Sequence, residues 1–144
     1  MTDQEAREFV LANPAEFGCS DLPREAVEGD NAQVLHSPAG FAIVRPLGAK
    51  TIHLGNRRTV TSGLEPVLSY LWIDPAHRGQ GHGQRLIREA LRQHGQHSDV
   101  VAGCYGPDRL RLFRRCGFTI DESDGEWHRL RWRNTSMLAA MLRG

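Results

Sequence analysis

The sequence predicts an α/β (α+β) fold: a mixed, mostly antiparallel central sheet flanked by helices, in a single domain spanning residues 1–144. Three observations carry this. The short β-prone runs "AQVLHS", "GFAIVRP" and "KTIHLG" follow one another with only "PAG" and "LGA" between them, the pattern of an antiparallel meander. The run "PVLSYLWI" (66–73) is apolar on both faces, as a strand covered from each side must be. Beyond it the period changes: Leu86, Ile87, Ala90 and Leu91 recur at helical spacing, opposite Arg85, Arg88, Glu89 and Arg92.

The remaining elements follow from local signals. Residues 3–12 read as a helix with Ala6, Phe9 and Val10 on one side, ended by Asn13-Pro14. Residues 22–29 read as a second helix, Pro23 suiting its first turn and Gly29 its stop. "NRRTVTSG" reads as a loop with room for a short strand, and "DVVAGCY" as a strand. "GPDRLRLFRRCGF" reads as a helix, with Pro107 near its start and Gly117 just past its end. "FTID" and "EWHRLRWR" then close as a hairpin around "ESDG". The order is α-α-β-β-β-β-α-β-α-β-β.

Composition excludes several classes of function. With 144 residues, 40% of them apolar and 24% charged, the chain has the make-up of an ordinary globular domain. No apolar run approaches the ~18 residues of a membrane span, so no membrane partner is expected. The first residues lack the basic-then-apolar order of a secretion signal. Cys19, Cys104 and Cys116 form no CxxC pair, which argues against a disulfide framework or zinc site. The expectation is a cytoplasmic protein without metal, monomeric or homodimeric.

A net charge of +1 is no polycation, but the charge is uneven. Residues 1–50 hold four Lys/Arg against eight Asp/Glu, whereas residues 51–144 hold fourteen against nine. "EWHRLRWR", with Arg57-Arg58 and the helix at 109–115, raises the alternative of a basic, stacking-capable surface for nucleic acid.

The stretch "DPAHRGQGHGQRL" (74–86) puts Gly79, Gly81 and Gly83 at alternate positions between a strand and a helix. Glycine there lets a phosphate approach the main chain, where helix-start amides and the macrodipole favour negative charge. A Walker loop needs G-x-x-x-x-G-K-[ST], which is absent. The dinucleotide fingerprint needs glycine where Gln84 or Leu86 stands. "Arg78-Gly79-Gln80-Gly81-His82-Gly83" instead resembles the [Q/R]-x-x-G-x-[G/A] signature of the GCN5-related N-acetyltransferases, the GNAT superfamily. "LWIDP" before it, the helix behind it and "LFRRCGF" downstream extend the resemblance from about Glu65 to Phe118.

The resemblance implies a GNAT-like sheet splayed between the strands at about 66–73 and 98–104, with acetyl-CoA in the opening. It implies that the main-chain groups of Leu71 and Ile73 pair with the pantetheine arm like a neighbouring strand, with Trp72 among the cofactor-binding residues. Arg78, Gly79, Gln80, Gly81, His82, Gly83 and Gln84 would hold the pyrophosphate. The implied activity is acetyl transfer from acetyl-CoA to a primary amine, of a small molecule or a protein, by direct attack in a ternary complex. Many relatives place an asparagine and, seven residues later, a proton-donating tyrosine after the fifth strand. Gly106 and Phe113 stand there, so another group donates the proton or the thiolate leaves unaided. Two alternatives therefore stay open: a binding module without catalysis, and an acyltransferase directed at nucleic acid.

Glu65, at the start of the central strand, is the candidate base, and Tyr105, directly after the fifth strand, the candidate acid. His53 and His128 are further bases on neighbouring strands. Asp74 suits a turn-capping role. Cys104 lacks a legible histidine–carboxylate pair for nucleophilic work.

Overall fold

The structure, a computed structural model, describes residues 1–29, 31–45, 51–54, 57–60 and 65–135. Among these run α1 (Asp3–Ala12), α2 (Glu25–Glu28), β1 (Gln33–Ser37), β2 (Gly40–Arg45), β3 (Thr51–Leu54) and β4 (Arg57–Val60). There follow β5 (Val67–Ile73), α3 (His82–His94), β6 (Val100–Tyr105), α4 (Pro107–Arg115), β7 (Thr119–Asp124) and β8 (Trp127–Trp132). Short 3₁₀ turns occupy Pro14–Phe17 and Pro75–His77. The expected order is found with one strand added before α3. The second helix shrinks to a single turn, and the stretch read as a loop contains β4.

Local chemistry sets the element ends. Thr2 and Glu5 form a reciprocal capping box at α1: Glu5 N–H donates to Thr2 Oγ1 (3.1 Å) and Thr2 N–H to Glu5 Oε1 (3.0 Å). That box fixes the start of a helix whose Ala6 and Val10 are fully buried. Asp74 accepts from Ala76 N–H at 3.0 Å, as its corner position leads one to expect, and turns the chain out of β5.

Six strands form one sheet in the order β1-β2-β5-β6-β8-β7, and β3 pairs β4 as a separate hairpin. Every pairing is antiparallel except β5 with β6. That parallel pair is short: only Val67↔Val101 and Leu68↔Ala102 are in register. At the same level β5 bulges against β2, where Ile43 faces Tyr70 and Val44 faces Leu68, leaving Ser69 as the extra residue. A bulge bends its strand and adds twist. Here it coincides with the point where β5 parts from β6, so the sheet opens towards Ile73 and Tyr105.

Each face of the sheet has its own core. On one, Leu68, Leu71, Ile87, Ala102, Phe113 and Leu130 pack beneath α3 and α4. On the other, Val10, Phe17, Val27, Phe41, Ile43 and Tyr70 pack beneath α1 and α2.

The unopened end of the sheet is tied by charge. Arg131 of β8 reaches Glu65 (3.1 Å), Asp99 (3.2 Å) and Asp121 (3.0 Å), joining the starts of β5 and β6 to β7. This corrects the expectation for Glu65, whose carboxylate is a strut of this knot and not a base in the opening. It also tells against the alternative of a basic surface along "EWHRLRWR". Arg131 is neutralised by carboxylates, Trp132 packs against the core under α3, and Trp127 Nε1 donates to Gly18 O at 3.2 Å. Of Arg57, Arg58 and His53 only the backbone lies within the described residues.

Removing the guanidinium leaves three carboxylates facing one another, and a lost partner in a mostly buried ion pair costs about 3 kcal/mol. Arg131→Met is therefore expected to lower stability by roughly that amount in urea unfolding. Glu65→Gln, which leaves two carboxylates on Arg131, costs about 1 kcal/mol. Equal losses for the two variants would contradict this assignment.

Candidate active site

Where β5 and β6 separate, a cavity of about 790 Å³ opens between the starts of α3 and α4. That is the size range of a small-molecule site. Its walls include Leu71 and Ile73 from β5, Tyr105 and Gly106 from the end of β6, and Glu16 from the 3₁₀ turn Pro14–Phe17.

Backbone direction explains which residues of β5 serve the opening. Asp74 N–H donates to Ala39 O at 2.8 Å, so Asp74 faces β2. Strand alternation then turns the main-chain groups of Trp72 to β2 and those of Leu71 and Ile73 to the opening. Ile73 O accepts from Arg78 Nε at 2.9 Å. Trp72 is thereby corrected as a ligand of the opening. Its backbone belongs to β2 and its ring stacks on Phe9 at 4.4 Å, on the far face of the sheet. At the apex, the buried Ser69 Oγ has no hydrogen-bond partner among the described residues.

The start of α3 is uncapped. Gly81 stands at the cap with φ +86°, no side chain accepts from the first turn, and that turn holds no acid. The amides of His82, Gly83 and Gln84 therefore keep free N–H groups at the positive end of a thirteen-residue helix. The cap of α4, Gly106, likewise offers no side-chain acceptor. Its φ of +86° and ψ of 163° are tolerated by essentially glycine alone. Two helix starts thus face one cavity, together with the side chains of Arg78, Arg109 and Arg115.

The glycines of "RGQGHG" divide their labour. Gly79 (φ +80°) and Gly81 satisfy a left-handed turn. Gly83 is different. A Cβ there would lie 2.8 Å from Leu112 Cδ2 of α4, so its bare backbone lets the two helices close up. Gln80 does not line the cavity, and its carbonyl accepts from Arg85 at 3.2 Å. Arg78, Gly79, Gly81, His82, Gly83 and Gln84 all do line it.

Tyr105 lines the cavity too, its ring packed against the backbone of Gly18. The negative charge of Glu126 beside the phenol raises its pKa above the usual tyrosine range. A phenol shifted that way is a weaker acid towards a thiolate of pKa ~8.5 than an ordinary tyrosine. Burial pushes the Cys104 thiol up to about 12, which rules out a resting thiolate nucleophile. Phe113 is buried as expected, packed edge-on against Phe118 at 5.1 Å. His128 lies outside the cavity, with Nδ1 on Ser123 Oγ at 2.7 Å. Among the described residues, no three His, Cys, Asp or Glu side chains gather as a metal site.

Sequence reasoning missed Glu16, Arg109 and Glu126. Glu16 lies 3.9 Å from Arg78 across the cavity mouth, and the Arg109 guanidinium sits 5.8 Å above the Phe17 ring. No local pattern marks them, because long-range packing brings them to the opening.

A splayed mixed sheet with a glycine turn and a bare helix start at its opening defines an acyl-CoA-type transferase fold. The family model described as an acetyltransferase (GNAT) domain matches residues 27–120, and the chain belongs to that family. Solved structures agree on the fold. An acetyltransferase from Thermus thermophilus superimposes with TM-score 0.56 at 18% identity, covering 91% of each chain. NAA60 of Arabidopsis thaliana, in complex with a bisubstrate analogue, gives 0.59 at 12% identity, over 90% of this chain and 92% of that one. A point mutant of the AtaT toxin, bound to the C-terminus of the antitoxin AtaR and acetyl-CoA, gives 0.51 at 16% identity over 72% of this chain. This chain spans 63% of that toxin and 57% of another matched chain. Among curated proteins none matches significantly.

Because Gly83 closes the α3–α4 contact, Gly83→Ala is expected to lower the melting midpoint through its clash with Leu112. Adding Leu112→Ala removes the obstacle, so the double variant should lose less than the sum, by about 0.5 kcal/mol or more. Strict additivity in the mutant cycle would show that another neighbour sets the need for glycine.

Proposed function

We propose that the chain transfers the acetyl group of acetyl-CoA to a primary amine, by direct attack within a ternary complex. The observation that supports this most is the bare start of α3, opening into the cavity beside the unpaired edge of β5. The residues present suit the donor. Amides from Gly79 to Gln84, with Arg78, would hold the pyrophosphate. The main-chain groups of Leu71 and Ile73 would take the pantetheine arm as a neighbouring strand. Bound acetyl-CoA supplies an activated acyl carbon, and main-chain amides supply hydrogen bonds to its carbonyl oxygen. The three cysteines are free thiols, which supports a reducing, cytoplasmic setting.

Acetyl-CoA bound to AtaT and the bisubstrate analogue bound to NAA60 are consistent with this reading of the donor and acceptor sites. One observation favours a second reading, a CoA-binding module without turnover: Gly106 has no side chain and Phe113 is sealed in the core. Release of free CoA from acetyl-CoA, dependent on an added amine, separates the two.

Calorimetry tests the donor assignment. Saturable binding of one acetyl-CoA per chain below millimolar concentration is expected, and its absence would refute the assignment. Arg78→Ala should weaken binding by about tenfold, the equivalent of one charge-assisted hydrogen bond, while the neighbouring amides stay in place.

A further inference from the structure

Arg109 is out of place as a structural residue. It lies in the first turn of α4, half-buried, with its side chain on the cavity. Its guanidinium rests over Phe17 at 5.8 Å, yet it has no hydrogen bond and no ion pair among the described residues. Five N–H donors are left open on a charge that burial and the nearby Arg78 disfavour and that only the Glu16 carboxylate, shared with Arg78, offsets. Holding such a group without a partner is costly, which points to an anion that the cavity receives.

Its position selects among the anions of the donor. The glycine turn and Arg78 gather at the Ile73 end of β5, where Arg78 holds the Ile73 carbonyl. Arg109 sits deeper. The Phe17 ring beneath it packs edge-on against Tyr70 at 5.4 Å, three residues back along β5, which is about 10 Å of strand. Arg109 also couples electrostatically with Cys104, near the end of β6. It thus stands over the middle of the splay, the part of the opening between the phosphate turn and the Ser69 apex. The usual proton donor is missing there: Phe113 is core, the Cys104 thiol is inert, and the Tyr105 phenol at the rim is made a weaker acid by Glu126.

We propose that the Arg109 guanidinium receives the sulfur of the donor thioester as it departs, so that CoA leaves as a thiolate with its charge countered and needs no general acid. This rests on the acetyl-CoA reading above. The amine lone pair attacks the carbonyl carbon and the N–C bond forms. The C–S bond then breaks with both electrons passing to sulfur, and the proton lost by nitrogen goes to solvent. Arginine suits the task because it stays charged across the working pH range. The thiolate takes a proton from water after it leaves the guanidinium.

The test needs no acceptor. The thiol of bound CoA is titrated through its thiolate ultraviolet absorbance, with desulfo-CoA as the sulfur-free control for affinity. In the parent protein the bound thiol should titrate at least about one unit below the ~8.5 of a free thiol. By linkage, CoA should then gain about tenfold in affinity over desulfo-CoA as pH rises from below the bound thiol value to above the free one, because the thiolate is the form held more tightly. Arg109→Gln should abolish both effects and so cost CoA more affinity at high pH than it costs desulfo-CoA, and Arg109→Lys, which keeps the charge, should retain part of each. An unshifted thiol in the parent protein overturns the proposal, with no variant required. So does an equal loss of CoA and desulfo-CoA affinity in Arg109→Gln, which would assign the residue to the phosphates. Failure of both ligands to bind the parent protein would instead remove the donor reading beneath it.

Discussion

The parting of β5 from β6 is the constraint on which the rest of the molecule depends. Two register pairs hold these parallel strands together, and then the ladder stops. Neighbouring strands that stop pairing leave main-chain donors and acceptors that must be satisfied some other way. The bulge at Ser69 provides the bend, and the continued pairing of β2 with β5 and of β6 with β8 keeps each side of the opening rigid. The Arg131 knot lies at the opposite end, clasping the starts of the same two strands. One end of the sheet is therefore tied by ions so that the other can stay open.

What fills the opening is decided by charge. Two helix starts without side-chain caps, the glycine turn and three arginine side chains face one cavity, against Glu16 and Asp108. Asp108 is already engaged by Arg111, one turn along α4. The balance favours an anion with several charged groups, spread along the cavity and not concentrated at one point. A flexible donor with phosphates at one end and a sulfur at the other fits that distribution, whereas an isolated phosphate would use only the turn at residues 79–84.

The parts of this arrangement that were legible in the sequence are those written in local periodicity. The strand at 66–73, the helix behind the glycines and the Pro107 start of α4 each follow from spacing and turn residues within a few positions. The meaning of the individual glycines was only partly legible. Gly79 and Gly81 obey backbone geometry, which is local, but Gly83 answers to Leu112, twenty-nine residues away. Glu65 and Trp72 failed as site residues for the same reason. A carboxylate at a strand start looks free until Arg131 is folded onto it. Strand alternation read from the sequence gives no warning of a bulge at Ser69. The Pro14–Phe17 turn was the least legible of all, since its place at the cavity depends on Trp127 and Tyr105 from the far end of the chain.

The two positions where the chain departs from its family explain each other physically. Phe113 is a core residue, packed on Phe118, and a phenol hydroxyl at that place would need a partner that the apolar cluster under α4 does not offer. Gly106 gives up a side chain for a backbone conformation that starts α4 abruptly after β6, with Leu110 N–H closing on the Gly106 carbonyl at 3.3 Å. That abrupt start sets the first turn, and so Arg109, beside the opening and under the Pro14–Phe17 turn. On the proposed reading, acid chemistry at this site has been exchanged for a fixed positive charge. A proton donor must match the pKa of its leaving group, whereas a guanidinium has only to be near it. The loss of the tyrosine is then no defect in the site, because a thiolate of modest basicity needs its charge met more than it needs a proton.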